Sequence, residues 1–200
     1  MGTLYVIGTP IGNLEDLSPR AARVLAEVSL VAAEDTRRTR GLLTHLGISK
    51  PLLAVYADVE RTRVDRVLEA LGIGDVAYCT DSGMPVVSDP GAHLVDQARG
   101  AGYEVVVIPG PSAVTAAIAA SGFRGDRFRF LGFLPRKSSQ MTALFEELVD
   151  CRDTAVAYES PQRLLKTLDI ISATLPDRRC AVARELTKMH EEVRVGPAAA

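Results

Sequence analysis

The chain has 200 residues, 47% of them hydrophobic, which is enough for one large or two small cores. Its net charge of −2 excludes a nucleic-acid-binding polycation, so any RNA contact has to come from local patches. Cys79, Cys151 and Cys180 have neither metal-ligand spacing nor the even count of a disulfide framework, and no run approaches the roughly 18 apolar residues of a membrane span. Buried thiols in a reducing compartment are therefore expected, and because Met1–Leu4 leads directly into a strand without a signal-like segment, so is a cytoplasmic protein with no membrane partner.

Leu4–Ile7 reads as a strand that breaks at Gly8-Thr9-Pro10-Ile11-Gly12-Asn13, and Ser18-Pro19 then opens a helix with Ala22, Leu25 and Val28 on one face. The spacing of the two glycines fits neither the dinucleotide fingerprint nor the P-loop. Leu30–Ala33 is a second strand, ending in the charged run Glu34-Asp35-Thr36-Arg37-Arg38-Thr39-Arg40. Taken alone, such a run is a solvated turn with weak surface ion pairs. A helix is predicted from Thr39 to Leu46 with Gly47 beyond its end, then a strand over Leu52–Val55. Val64, Val67, Leu68 and Leu71 mark a helix stopped by Gly72, with Arg61, Arg63 and Arg66 on its wet face.

The most informative stretch is Val76 to Gly91. Val76–Cys79 is a short apolar run of the kind a buried parallel strand shows, and it breaks into Thr80-Asp81-Ser82-Gly83-Met84-Pro85. Gly83 admits positive φ or a ligand against the backbone, Pro85 makes a rigid corner, and Asp89-Pro90 predicts an N-cap with proline at the first helical position. In open α/β sheets, ligands bind at such strand ends. Leu94, Val95 and Ala98 then mark a helix and Glu104–Ile108 a strand, after which Pro109-Gly110-Pro111-Ser112 interrupts the pattern. A domain boundary is expected there, giving residues 1–110 and 111–200.

The second half repeats the scheme after an alanine-rich helix from Ala113 to Ala120. Strands are predicted at Phe128–Leu131, Thr154–Tyr158 and Arg179–Ala183, with helices marked by Met141, Leu144, Phe145 and Leu148, and by Leu164, Leu165, Leu168 and Ile171. The latter helix is expected to start with Ser160 as N-cap and Pro161 at its first position. The scattered His45, His93 and His190 indicate no metal site, no G-x-S-x-G elbow supports a hydrolase, and Asp89 as a cap argues against paired catalytic carboxylates with Asp81.

Loop after loop carries Gly or Pro and few acid–base groups, which suits a cofactor that brings its own reactivity and needs mainly shape and orientation. S-adenosylmethionine is one such cofactor, although spacing alone does not select it. The segments Gly8–Leu14, Ala33-Glu34-Asp35-Thr36-Arg37, Asp81–Gly91, Pro109–Ala113, Gly132–Lys137, Tyr158-Glu159-Ser160-Pro161 and Arg184-Glu185-Leu186-Thr187-Lys188 together resemble, in order and spacing, the bacterial 16S ribosomal RNA cytidine 2′-O-ribose methyltransferases, a branch of the tetrapyrrole-methylase superfamily. The resemblance spans essentially the whole chain.

It implies two α/β domains with S-adenosylmethionine in a cleft between them, a homodimer, and as substrate a cytidine ribose in the decoding region of 16S rRNA in the small ribosomal subunit. The cofactor would be lined by Pro10, Asp81, Ser82, Gly83, Met84, Pro85, Ser112, Ala113, Phe133, Leu134, Pro135, Tyr158 and Leu186. Arg37, Arg38, Arg136 and Lys137 would meet RNA. Ser82 and Met84 stand where the family often has Ala and Thr, and the family continues with further strands and a small helical region past Lys188, so the C-terminal domain is expected to be incomplete. A ribose hydroxyl is a poor acid, so transfer to it benefits from a base or a cation, for which Lys188, Glu185 and Asp35 are the candidates. A corrin or porphyrin methyltransferase, or a non-catalytic RNA-binding relative, would share much of this pattern.

Overall fold

The computed structural model describes residues 2–57 and 60–198, apart from the side chains of Glu60 and Arg61. The chain divides into two units, Met1–Ser112 and Ala113–Ala200. The first unit is built on β1 (Thr3–Ile7), β2 (Leu30–Ala33), β3 (Leu52–Ala54), β4 (Val76–Cys79) and β5 (Glu104–Ile108), all parallel, in the order β3-β2-β4-β1-β5. β4 is buried at every residue, as a strand covered on both faces must be. Its side chains alternate: Val76 and Tyr78 join Leu4 and Val6 under α3 (Glu60–Ile73) and α4 (Ala92–Gly100), while Ala77 and Cys79 join Ile7 under α1 (Pro19–Glu27) and α2 (Thr36–His45). Fully burying such a Leu, Ile or Val side chain contributes about 1.5–3 kcal/mol, so each face supplies a core of its own.

This layering sets the place of the site. The chain leaves β1 for α1 on one face and β4 for α4 on the other, and β1 and β4 are neighbours. The crevice at their C-terminal ends is therefore a topological switch point.

The second unit has α5 (Ala113–Ser121), β6 (Phe128–Phe133), α6 (Ser138–Glu146), β7 (Thr154–Tyr158), α7 (Leu164–Thr174), β8 (Arg179–Arg184) and β9 (Glu192–Pro197). β6 and β7 pair in parallel, and β8 and β9 form an antiparallel pair with Arg179 opposite Pro197. Leu134, Met141, Phe145 and Leu148 form its core, packed by Ile170 and Ile171 of α7. No helix among the described residues is long and apolar enough to cross a membrane.

Several local expectations are corrected. Ser18 caps α1 as expected, its hydroxyl accepting from the Ala21 N–H at 3.1 Å, but α2 begins at Thr36, earlier than Thr39, because Asp35 caps it. Asp89 is not the cap of α4. The helix starts at Ala92 behind Gly91, whose φ of 122° no ordinary side chain adopts and whose added Cβ would lie 2.3 Å from the Tyr78 ring. Nor does Ser160 cap α7: residues 161–163 form a separate turn and the helix begins at Leu164. α3 runs through Gly72 to Ile73. On it Arg66 is exposed and Arg63 half-buried, while Arg61 falls outside the described side chains. Of the three thiols only Cys79 is buried, and burial pushes it up to about 12; Cys151 and Cys180 are half-buried. β9 was not expected at all.

Candidate active site

In the first unit, three strand exits meet. The loop after β1 and the loop after β4 are stitched by two main-chain bonds, Thr9 N–H to Gly83 C=O at 2.9 Å and Gly83 N–H to Thr9 C=O at 3.0 Å. The Thr9 hydroxyl donates to the Thr80 carbonyl at 3.3 Å. The loop after β5 closes in so tightly that a Cβ on Gly8 would stand 2.7 Å from the Gly110 backbone and 2.6 Å from the Met84 sulfur. Pro10, Asp81, Gly83 and Met84 are thereby gathered, with Pro111 against Gly83. A cavity of about 330 Å3 opens between these loops and α2, lined among others by Thr9, Pro10, Arg38, Thr39, Thr80 and Asp81. A wider surface groove between α6 and α7, about 620 Å3, holds Lys166, Asp169 and Glu146 but none of the loop residues.

The charged run after β2 is divided by the fold into distinct jobs. Asp35 caps α2, accepting from the Arg37 N–H at 2.8 Å and from its guanidinium at 2.8 Å, and these bonds hold its carboxyl down at about 2. Arg37 is otherwise open to water, its side chain 89% exposed. Arg38 instead reaches Asp81, Nε to Oδ2 at 3.3 Å. Glu34, adjacent to these and not singled out in the sequence, accepts from the Asp81 N–H at 3.2 Å, and burial pushes its carboxyl up. Asp89 is likewise raised by burial, opposed by the Thr80 hydroxyl beside it. In the sequence Glu34 stands only within a charged run and Asp89 reads as a helix cap, since the signal that separates both from solvated neighbours is burial.

In the second unit, Phe133, Leu134 and Pro135 leave β6, and Tyr158 closes β7. Phe133 pairs with Tyr158 in the sheet, the Leu134 N–H donates to the Tyr158 carbonyl at 3.1 Å, and the Phe133 and Tyr158 rings lie 5.3 Å apart. Ala113 starts α5, whereas Ser112 ends the first unit. Leu186 sits in the loop between β8 and β9 beside the pair Lys188 Nζ to Glu185 Oε1 at 3.0 Å, both side chains half-exposed. Arg136 and Lys137 are exposed just beyond the β6 exit.

Backbone strain singles out two of these loops. All four non-glycine residues with positive φ among the described residues are Val86 and Ser88 after β4, and Glu185 and Thr187 after β8. Each such residue costs about 1–3 kcal/mol and persists where the surroundings demand it, typically at functional sites. The same two loops hold Asp81 Oδ1 and Thr187 Oγ1, buried oxygens without a hydrogen-bond partner in the protein. A ligand with hydroxyl or ammonium donors, such as the ribose and amino-acid ends of S-adenosylmethionine, fits the acceptor that Asp81 offers beside the packed Gly8, Gly83 and Gly110 backbones.

Comparison with known proteins agrees with this architecture. The model of the Tetrapyrrole (Corrin/Porphyrin) Methylases matches residues 3–200. The chain is 48% identical over 193 residues to ribosomal RNA small subunit methyltransferase I of Thermotoga maritima, covering 96% of this chain and 86% of that protein. It is 47% identical over 200 residues to the protein of that name from Pseudomonas aeruginosa, covering 99% and 71%. Among solved structures, diphthine synthase (TM-score 0.77, 13% identity, 99% of this chain and 82% of that one) and the methyltransferase CobJ (TM-score 0.71, 19% identity, 99% and 87%) share the fold. The chain therefore belongs to the Tetrapyrrole (Corrin/Porphyrin) Methylases and, within them, to the ribosomal RNA small subunit methyltransferase I family.

Proposed function

We propose that this chain methylates the ribose 2′-hydroxyl of a cytidine in 16S rRNA of the small ribosomal subunit, with S-adenosylmethionine as methyl donor. The observation that carries the reading is that a match of 47% identity over 99% of the chain runs through both loops where strained residues and unpartnered buried oxygens coincide. When bound, the cofactor supplies an electrophilic methyl group on a sulfonium, so the protein's task is alignment and handling of one proton.

The first unit is assigned Pro10, Asp81–Pro85 and Ser112 as cofactor contacts, and the second unit Ala113, Phe133–Pro135, Tyr158 and Leu186. The cavity bounded by Arg38, Thr39, Thr9 and Asp81 is assigned to the target nucleotide, with Arg38 held against Asp81 until phosphate or ribose competes for it. Lys188, oriented by Glu185, is assigned the hydroxyl proton, which its neutral amine takes up after its own proton has passed to Glu185 or to water. Asp35, already committed to Arg37 and the α2 cap, is the weaker candidate. Arg37, Arg136 and Lys137 are assigned to the RNA backbone.

The test is incubation of the chain with methyl-labelled S-adenosylmethionine and small subunits lacking the modification, followed by digestion to nucleosides. Label in 2′-O-methylcytidine is the expected result. Label only in an added precorrin would move the assignment to a ring substrate, and no cofactor binding in calorimetry would leave a non-catalytic RNA-binding protein.

A further inference from the structure

Away from the residues assigned to the proton and the RNA, one carboxylate of the second unit is almost wholly withdrawn from water. The side chain of Glu159 is 9% exposed. A buried carboxylate is costly unless it is paired and hydrogen-bonded, and this one is fully served. It accepts from the Ser160 N–H at 2.7 Å, from the buried Thr167 hydroxyl at 2.7 Å and from the Arg163 guanidinium at 3.2 Å.

The other contacts of Arg163 give the arrangement its direction. Its two terminal nitrogens donate to the Leu134 carbonyl at 3.3 and 3.2 Å, and one of them also donates to the Pro135 carbonyl. The planar guanidinium thus has a buried counter-ion on one side and two consecutive carbonyls of the β6 exit on the other. Since the Leu134 N–H is held by Tyr158, the turn is gripped from β7 and from the residue that precedes α7. Carbonyls at a strand exit can bond to water at little cost. A cation only 28% exposed and dedicated to them specifies one backbone geometry instead.

We infer that Arg163, oriented by Glu159 and Thr167, is a positioning residue for the cofactor. It fixes the turn Phe133–Pro135 so that its backbone groups and the Phe133 ring, 65% exposed, meet an adenosine-bearing sulfonium in a single conformation. The inference rests on the reading above that this turn touches the cofactor.

The experiment uses the full chain, with S-adenosylhomocysteine titrated calorimetrically and steady-state kinetics on small subunits. Arg163→Met raises the Kd for S-adenosylhomocysteine and the KM for S-adenosylmethionine about tenfold or more, the usual scale for losing hydrogen bonds to a charged group, while kcat at saturating cofactor and the KM for subunits stay near wild type. Arg163→Lys recovers part of the loss, because an ammonium can still reach one carbonyl. Thr167→Val moves cofactor affinity in the same direction by less. A merely structural role would lower the melting temperature without splitting the two KM values. Should Arg163→Met fail to fold, Arg163→Lys and Thr167→Val decide by the same readout, and an unchanged cofactor KM in both overturns the inference. Wild-type protein that binds no S-adenosylhomocysteine defeats the cofactor reading and this inference together, whereas wild-type binding with unaltered variants defeats this inference alone.

Discussion

The main-chain N–H of Asp81 donates to the side chain of Glu34 at 3.2 Å, and this bond ties the exit of β2 to the exit of β4. Its acceptor is an acid raised mainly by burial, against which the same hydrogen bond pulls. A carboxyl whose native pKa is raised binds its proton more tightly folded than unfolded, so stability falls as pH rises from the ordinary glutamate value of about 4.5 through the native pKa. Glu34→Gln keeps an acceptor for Asp81 and removes the charge. Its melting temperature, relative to wild type, should therefore improve between pH 4 and pH 8. A variant that loses ground toward pH 8 would show that the ionised carboxylate is stabilising, through Arg38, more than its burial costs.

The sequence offers Lys188, Glu185 and Asp35 for the proton, with Asp35 as the alternative should Lys188 prove dispensable, and the structure separates the tests of Lys188 and Asp35. The Asp35 carboxyl is held down at about 2 by Arg37, so its stabilisation is present above the ordinary 3.8 and is lost as pH falls toward 2. Asp35→Asn can still cap α2 and should keep near-normal turnover at pH 7 while losing that acid-side dependence in thermal melts. Lys188→Met should bind cofactor normally and lose roughly 10²-fold in turnover, a typical contribution of a positioned base. Full activity in Lys188→Met with loss in Asp35→Asn would reverse the assignment, and full activity in both would reduce catalysis to alignment.

The sheet was legible because its strands are short apolar runs closed by Gly or Pro, and Val76–Cys79 needed no partner to be recognised as central. Helix starts were less so. At Asp89-Pro90 and Ser160-Pro161 the proline marks a turn before the helix: the Pro90 carbonyl accepts from the Val86 N–H at 3.3 Å, and the Ser160 carbonyl accepts from the Arg163 N–H at 3.0 Å. β9 was missed because the hairpin that precedes it turns without glycine or proline, through positive φ at Glu185 and Thr187. Arginines were the hardest to read. Arg163 and Arg178 spend their donors on main-chain carbonyls, Arg178 on those of Leu148, Val149 and Cys151, while Arg37 faces water, and composition cannot distinguish these uses.

The close approach of Gly8 and Gly110 predicts a contrast with Gly41. A methyl group on Gly110 would meet the Gly8 backbone at 2.7 Å, so Gly110→Ala should cost about 1–3 kcal/mol and weaken cofactor binding by separating the loops. Gly41 lies within α2 with nothing within 4 Å of an added Cβ, so Gly41→Ala should stabilise by up to about 1 kcal/mol through helix propensity. Because Gly41 also lines the 330 Å3 cavity, the same variant should raise the KM for small subunits while leaving cofactor affinity unchanged. Higher stability with an unaltered subunit KM would remove the target nucleotide from that cavity.

The last prediction concerns how a chain of net charge −2 holds RNA. Each phosphate neutralised releases condensed counterions, and the slope of log affinity against log salt counts those contacts at roughly 0.7–0.9 per phosphate. Arg136 and Lys137 are exposed and have no salt bridge among the described residues, so they are available to phosphate without giving anything up. Arg37 and Arg38 are not: each must leave Asp35 or Asp81 or share its donors with them. Arg136→Ala should then reduce the slope by about one and weaken binding uniformly across RNA sequences. Arg37→Ala should reduce it by less at low salt, because the Asp35 carboxylate already holds part of the charge that Arg37 could offer a phosphate. Asp35→Asn with Arg37 intact should strengthen binding at low salt for the same reason, so filter binding between 50 and 200 mM salt, a range over which such slopes are readily resolved, is the measurement. Equal slopes for wild type and Arg136→Ala would take this patch out of the RNA interface, whereas a full unit lost in Arg37→Ala would mean that its ion pair with Asp35 opens completely on binding.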